Sequence, residues 1–408
     1  MTECMDTEVA RSFQSLLAEP RHRLRVLFWH WGRGGAGSKF TFELVRAAQQ
    51  IGDIDCYVSA VADCELADLV RSLGEPLPLC EITTFKGNKA TMTGKLAALY
   101  GLTGLAQIGQ QFKEFIARHQ IDLVVCTMPA IWDAAVFGVI RTMQLPFILV
   151  VHDATPHPGD SYPLRHLTMR REMVAADGLI VLSDHVKQQV MARHAISADR
   201  IWTLPHGAFE FGVKMQRHLD HSRPTRLLFL GRIVAYKGLD LLLGAYRLLQ
   251  QQGANVSLEV MGSGDISPYA EQLDGLSGVT LINQWVDEAD IGAALARNDV
   301  MVMPYREASQ SGVAASAATA GMPMVATPVG GLTEQIIDGT TGVIAPTACA
   351  NGVATAIRRL IDDHALYAHC SAGAMAYAEQ ELGWGPIAQR MGAIARDVVS
   401  RKLIAEYE

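Results

Sequence analysis

The sequence predicts an α/β protein made of two domains, each built on a doubly wound sheet of parallel strands. Its 408 residues are too many for one ordinary hydrophobic core and suit two domains of similar size. Short apolar runs rich in β-branched residues alternate along the chain with stretches of helical periodicity. Continuous apolar runs are typical of strands buried on both faces of a parallel sheet. Their alternation with helices at this spacing predicts βαβ units.

The predicted strands are the apolar runs themselves. They lie at 25–29, 122–126, 146–151 and 178–182 in the first half, and at 226–230, 257–261, 279–282, 300–303 and 323–326 in the second. Apolar residues recur at helical spacing from Leu239 to Leu249, which predicts a helix directly after Gly238. The end of the chain, from Pro386, predicts one long helix.

The boundary between the two domains is predicted near residues 205–224. This segment is polar, contains Gly and Pro, and lacks a clear period. We therefore expect an N-terminal domain over residues 1–205 and a C-terminal domain over residues 206–385.

Composition and charge narrow the class of protein. Hydrophobic residues make up 49% of the chain and charged residues 19%, which is enough to fill two buried sheets without disorder. The net charge of −7 is spread along the chain and disfavours a general nucleic-acid binder, which would more often be basic.

Targeting signals and cysteine usage predict a cytoplasmic protein. The acidic N-terminal sequence has no apolar run typical of a secretory signal, and no apolar stretch approaches the length of a spanning helix. The seven cysteines show no C-x-x-C pairing, which favours reduced thiols. A basic cluster offers an alternative location at the inner face of a membrane: Arg165, His166, Arg170 and Arg171 would suit an anionic surface, although such clusters are more often solvated helix faces.

The first candidate site is the glycine-rich run from Gly32 to Ser38, between a predicted strand and a predicted helix. Glycines such as Gly34 and Gly35 let backbone N–H groups approach a ligand, and a helix N-terminus favours anions. The alternative is a tight strand-to-helix turn. The run lacks the later acidic residue of a dinucleotide-binding fingerprint.

The second candidate is the segment from Gly231 to Gly238, also between a strand and a helix. Arg232 and Lys237 place a guanidinium fork and an ammonium close together, which suits a diphosphate. Two solvated surface cations are the alternative.

The third candidate follows the strand at 300–303. Glu307 stands at the carboxyl end of that strand, where open α/β sheets bind ligands. The backbone N–H groups of Ser309, Gln310, Ser311, Gly312 and Val313 could hold a phosphate or sugar hydroxyls. The alternative is an ordinary helix start capped by Ser309.

The fourth candidate follows the strand at 146–151. His152, Asp153 and His157 could orient hydroxyls or handle a proton. Their spacing fits no common metal-binding pattern, so we expect no metal here.

The segments that carry these residues resemble the retaining family 4 glycosyltransferases, which have the GT-B fold. The run LLFLGRIVAYKGLDLLL is similar to that family's phosphate-binding strand, loop and helix. The stretch PYREASQSGVAASAATAGMPMVATPVGGLTEQIIDGTTGVIAP is similar to its donor-sugar segment and the GG-x-x-E run that follows. The resemblance covers nearly the whole chain and implies two Rossmann-like domains facing each other across a cleft, with the last helix (386–408) returning to the first domain.

The resemblance also implies roles for individual residues. Arg232 and Lys237, beside Gly231, would neutralise the donor diphosphate, and Glu307 would contact the transferred sugar. His152 would lie beside that sugar, and Asp153 and His157 would lie on the acceptor side. The remaining contacts to the donor would come from the glycine loop, the sugar loop and the base-binding stretch: Gly34, Gly35, Ser309, Gln310, Ser311, Gly312, Val313, Gln284, Trp285 and Val286.

One departure from the family pattern concerns the second glutamate of its E-x₇-E motif. Ala315 stands eight residues after Glu307, and counting back from Gly321 reaches Ser316 instead. Neither is the second glutamate, which in the family contacts the nucleotide ribose.

The resemblance implies transfer of a hexosyl unit from a UDP- or GDP-linked sugar to a saccharide or lipid-linked saccharide, with retention and without a metal or other cofactor. A role in bacterial polysaccharide assembly is our hypothesis. Two alternatives stay open: a nucleotide-sugar 2-epimerase-like isomerase, and a catalytically silent relative that binds a nucleotide sugar.

Overall fold

The computed structural model describes residues 23–83, 104–130, 133–155, 165–220 and 222–407. It contains two sheets, and each strand pair with a defined register is parallel. The predicted α/β class with two Rossmann-like sheets is confirmed.

The first sheet has seven strands in the order β3-β2-β1-β4-β5-β6-β7. Its strands are β1 Leu24–His30, β2 Ile54–Val61, β3 Leu79–Ile82, β4 Leu123–Met128, β5 Phe147–Val151, β6 Gly178–Val181 and β7 Ile201–Thr203. The strand order reverses between β1 and β4, which is the point where doubly wound sheets bind ligands. The glycine-rich run follows β1 and therefore lies at this reversal.

The second sheet has six strands in the order β10-β9-β8-β11-β12-β13. Its strands are β8 Thr225–Leu230, β9 Val256–Gly262, β10 Val279–Asn283, β11 Val300–Met303, β12 Met324–Ala326 and β13 Gly342–Ile344. Here the order reverses between β8 and β11. The segments 231–238 and 304–313 follow these two strands, so the topology brings the second and third candidate sites together.

The helices connect successive strands. They are α1 Ala36–Ile51, α2 Glu65–Arg71, α3 Leu105–His119, α4 Ala134–Thr142, α5 Arg165–Ala175, α6 Asp184–His194, α7 Leu239–Gln251, α8 Ala270–Leu273, α9 Glu288–Arg297, α10 Gly312–Thr319, α11 Leu332–Gln335, α12 Ala350–Asp362, α13 His364–Glu381 and α14 Trp384–Tyr407. Within the described ranges, no helix combines the length and apolar content needed to cross a bilayer.

Most side chains of β8 and β11, the two central strands of the second sheet, are buried on both faces, as the apolar runs predict. Leu227 and Phe229 pack into a cluster with α7 and α12, whereas Leu228 and Leu230 pack into another with α9 and α10. The alternation follows from the two-residue period of a strand. The alanines of α10 are buried in the second cluster, which lets the helix lie close to the sheet.

Residue contacts divide the chain into two compact units. One contains the described residues up to Ile148 together with those from Gly392, and the other runs from Leu149 to Met391. The predicted boundary between residues 205 and 206 falls between β7 and β8 and stays a prediction.

Several strands were not predicted from the sequence patterns, and each omission has a physical reason. In β2, Asp55 and Tyr57 interrupt the apolar run, because the amino-terminal half of this strand is buried only at alternate positions. The edge strands β3, β7 and β13 have four residues or fewer, which is too short to show a period.

Candidate functional site

Two loops pack against each other where the second sheet reverses. Gly238 has a φ of +67°, and a Cβ there would lie 2.0 Å from the carbonyl oxygen of Pro304. The N–H of Arg306 donates to the carbonyl of Tyr236 over 2.7 Å. Only a glycine permits both the left-handed backbone and this close approach. The loop after β8 is thereby fixed against the loop after β11.

Lys237 lies at the centre of this arrangement. Its Nζ donates to the hydroxyl of Tyr305 over 2.7 Å and lies 4.1 Å from the centroid of that ring. Tyr305 is buried, so it fixes the position of the ammonium without neutralising it. A Cβ added to Gly231 would lie 3.6 Å from Lys237 Nζ and 3.8 Å from Val313 Cγ2. Three of the predicted site residues therefore converge.

Two arginines of these loops have different surroundings. Arg306 forms an ion pair with Asp240, and the guanidinium lowers the pKa of that carboxyl. Arg232, which is exposed, donates to the hydroxyl of Tyr236 over 3.3 Å. The charge of Arg306 is balanced by Asp240 in the first turn of α7, whereas Lys237 donates to a neutral phenol.

The loop before α10 is held from two sides. Glu307 is half-buried, and Ser309 and Ser311 are buried. The Ser309 carbonyl accepts a hydrogen bond of 2.7 Å from Ser183 Oγ. The Ser311 N–H, one of the groups predicted to hold a ligand, donates instead to Gln335 Oε1 over 2.7 Å. The helix begins at Gly312, so Ser311 and not Ser309 occupies its N-cap position, and no side chain caps it.

Two buried side-chain oxygens of this loop have no hydrogen-bond partner among the described residues: Gln310 Oε1 and Ser311 Oγ. Ser311 is only 4% exposed. Buried polar atoms in native proteins nearly always have a partner, because leaving one unpaired costs about 1–3 kcal/mol. Such a pair of oxygens beside Gly312 indicates a place where a polar ligand completes the structure.

A buried histidine borders the same loop. A Cβ on Gly312 would lie 3.5 Å from His206 Cε1, and His206 Nδ1 lies 2.7 Å from the Gly207 carbonyl. Burial, and then the nearby His152, lower the pKa of His206 to about 4, against the opposing effect of the Gly207 carbonyl. His206 is therefore neutral at pH 7, with its proton on Nδ1 and Nε2 left as an acceptor.

The buried neutral state of His206 predicts a pH-dependent stability. Its folded pKa of about 4 lies below the ordinary value of 6.5, so between these values the unfolded chain binds a proton that the folded chain does not. The free energy of unfolding is not reduced by this group above pH 6.5. As the pH falls to 4, up to roughly 3 kcal/mol of it is lost. We expect the melting temperature to fall over this window, and to fall less in His206→Gln. The exposed His218 serves as the control, since His218→Gln should keep the wild-type slope. Equal slopes in all three proteins would contradict this assignment.

The other predicted residues follow other strands or lie on α5. Gln284, Trp285 and Val286 follow β10, and Trp285 is 75% exposed. His152 and Asp153 follow β5 and are half-buried. His157 lies outside the described residues. Arg170 and Arg171 are exposed on α5, and a role for them at a membrane stays a prediction, as does any role for Arg165 and His166.

The glycine-rich run of the first unit binds a carboxylate of its own chain. Gly35 has a φ of +89°, and its N–H donates to Glu65 Oε2 over 2.6 Å. A Cβ on Gly34 would lie 3.1 Å from the same oxygen. The backbone here thus accommodates an anion, although the anion present is Glu65.

Sequence patterns missed three residues of the site. Tyr305 stands in the segment that resembles the donor-sugar segment but had no role of its own, and His206 was assigned only to the segment between domains. Gln335 directly follows the GG-x-x-E run but had no predicted role. The contacts of Tyr305 and Gln335 join residues 68 and 24 positions apart, so no local pattern marks them.

Comparison with known proteins extends these observations. A family model described as Glycosyltransferase Family 4 matches residues 95–208, and one described as Glycosyl transferases group 1 matches residues 224–363. Together they cover parts of both sheets.

Two curated relatives and one solved structure illustrate the similarity. An alpha-D-kanosaminyltransferase of Streptomyces kanamyceticus is 23% identical over 279 residues, 63% of this chain and 72% of the relative. A D-inositol 3-phosphate glycosyltransferase of Arthrobacter sp. (strain FB24) is 34% identical over 176 residues, 41% of this chain and only 40% of the relative. Anabaena HepE, solved with UDP and glucose, is 18% identical with a TM-score of 0.66, and the match covers 91% of this chain and 98% of that one. The solved structure supports the fold alone.

Proposed function

This chain belongs to the family 4 glycosyltransferases and has the GT-B fold, and we propose that it transfers a hexosyl unit from a nucleoside-diphosphate sugar to a saccharide or lipid-linked saccharide. One observation carries this proposal. At the reversal point of the second sheet, Gly231, Lys237 and Val313 converge, and the unpartnered oxygens of Gln310 and Ser311 belong to the same segment as Val313. A cation and unpaired hydrogen-bonding groups in two loops that pack together suit a phosphate joined to a sugar.

The diphosphate would bind Lys237 and Arg232. Breaking the bond between the anomeric carbon and the diphosphate oxygen leaves negative charge on the departing group. The ammonium of Lys237, fixed in advance by Tyr305, stabilises that charge without having to reorganise. In this proposal the two cations serve in place of a metal ion.

The sugar would bind the loop before α10. A hydroxyl of the sugar donates to Gln310 Oε1, and a second pairs with Ser311 Oγ, which satisfies both buried oxygens. Glu307, half-buried in the same segment, would accept a hydrogen bond from a further hydroxyl. Neutral His206 offers Nε2 as an acceptor and would not repel the cations, because it carries no charge of its own.

The acceptor and the stereochemistry are proposed on the family relationship. Attack on the same face as the departing diphosphate would retain the anomeric configuration. His152 would lie beside the transferred sugar, and Asp153 would lie on the acceptor side. HepE was solved with UDP and glucose, which favours UDP over GDP as the nucleotide to test first. A role in bacterial polysaccharide assembly is part of the proposal.

Ser311→Ala tests the sugar contact. We expect UDP, GDP or ADP to raise the melting temperature of the wild type, and the matching nucleotide sugar to raise it further. In Ser311→Ala the extra increment from the sugar should fall, while the nucleoside diphosphate keeps its effect. The variant without ligand should be as stable as the wild type or more so, because it loses a buried hydroxyl that has no partner. A panel in which neither nucleotides nor nucleotide sugars stabilise the wild type would count against the proposed function.

A further inference from the structure

Gln335 holds the main chain of the proposed sugar loop by two hydrogen bonds. Its Oε1 accepts from the Ser311 N–H over 2.7 Å, and its Nε2 donates to the Ser311 carbonyl over 3.2 Å. Gln335 is 7% exposed and ends the short helix α11. One side chain thus contacts both polar groups of Ser311's main chain, and the Ser311 carbonyl also accepts a bond of 3.4 Å from the Ala315 N–H.

This pairing determines which groups of the loop remain for a ligand. Ser311 occupies the N-cap position of α10, where a serine commonly caps its own helix, yet its Oγ makes no such bond. Gln310 Oε1, in the adjacent residue, is also buried without a partner. Gln335 therefore holds the main chain of Ser311, while two side-chain oxygens of the loop stay without a partner among the described residues.

The preceding residue, Glu334, holds a different segment of the chain. Glu334 accepts from the N–H groups of Asp184 and His185 over 2.7 Å each, at the start of α6. It makes no described contact with Ser311. Adjacent residues of α11 thus hold two separate segments, which provides a control for the role of Gln335.

We propose that Gln335 is a positioning residue that sets the affinity for the sugar part of the donor. It would hold the Ser311 peptide in the orientation that directs Gln310 Oε1 and Ser311 Oγ to the hydroxyls of the transferred sugar. This inference rests on the proposed function and adds to it a residue that does not itself contact the donor.

The variant Gln335→Glu tests the donated hydrogen bond. An ionised carboxylate still accepts from the Ser311 N–H, but it repels the Ser311 carbonyl instead of donating to it. A protonated carboxyl restores the donor, and burial raises the pKa of such a group. At pH 8 we expect the affinity for the nucleotide sugar to fall about tenfold. The affinity for the corresponding nucleoside diphosphate should change little, and part of the loss should be recovered at pH 5.5.

Other groups near α11 can titrate, so the pH comparison needs controls. They are Glu334 on α11, Asp184 and His185 on α6, His206 before α10 and Tyr377 on α13. Gln335→Met adds no titratable group and should lose affinity for the nucleotide sugar equally at pH 8 and pH 5.5. Glu334→Gln should leave the affinity ratio between the two ligands at the wild-type value.

The experiment is calorimetric titration of the wild type and the three variants with UDP, GDP and ADP and with UDP-glucose, GDP-mannose and ADP-glucose. A selective loss for the nucleotide sugar in Gln335→Glu, with recovery at low pH, supports the inference. Wild-type binding together with an unchanged ratio, or an equal loss for both ligands, would overturn it and leave the proposed function intact. No binding by the wild type would overturn the proposed function and this inference with it.

Discussion

Lys237→Met should remove most of the transferase activity while leaving the fold intact. Methionine keeps much of the length of the side chain and loses the charge. We expect the rate of transfer to fall about 10²–10³-fold, by comparison with the loss of one preorganised donor in other enzymes. The affinity for the nucleoside diphosphate should fall roughly tenfold to a hundredfold, the range for a hydrogen bond to a charged group. Calorimetric titration and a steady-state assay measure the two effects.

Arg306→Met is the matched control for this prediction. Arg306 lies in the facing loop, but Asp240 already balances its charge. Removing its side chain should change nucleotide affinity by less than about threefold, because an exposed ion pair contributes little. Equal losses in both variants would mean that the general positive charge of the loops, and not the position of Lys237, matters.

Arg217→Met should destabilise the second unit strongly. Arg217 is 6% exposed, and its guanidinium donates to the carbonyls of Leu295, Asn298 and Ala320. These carbonyls lie at or near the carboxyl-terminal ends of α9 and α10, where the helix dipole favours a cation. Without the arginine they stay buried and unpaired, which costs about 3 kcal/mol or more. We expect the melting temperature to fall by about 6–12 °C.

Arg247→Met is the control for the loss of Arg217. Arg247 also donates to two carbonyls, those of Gln272 and Asp274, but it is exposed. Water can replace those bonds, so its loss should cost less than about 0.5 kcal/mol. A shift for Arg217→Met as small as that for Arg247→Met would show that the buried carbonyls find other partners.

The fold could be predicted because buried parallel strands leave a strong signal. The runs at 226–230 and 300–303 match β8 and β11, and with them the position of the reversal. The signal is weak wherever a strand is short or half-exposed. In β10 most residues are exposed, and only its apolar sequence reveals it.

The candidate site could be predicted only where its residues follow a strand directly. Gly231, Lys237 and Val313 come from two such segments, and the topology brings them together. Tyr305, His206 and Gln335 contribute through burial and through partners distant in sequence. The carboxylate at Gly35 could not be predicted either, because Glu65 is the first residue of α2 and lies 30 positions further along the chain. Such contacts depend on packing and not on a local pattern.

A crystal structure of the wild type with the nucleoside diphosphate that stabilises it most tests the central claim directly. The account predicts phosphate oxygens within about 3 Å of Lys237 Nζ and of the Arg232 guanidinium, beside Gly231. It also predicts that the matching nucleotide sugar places hydroxyls on Gln310 Oε1 and Ser311 Oγ. A nucleotide bound away from both loops, with these two oxygens still unpaired, would contradict the account.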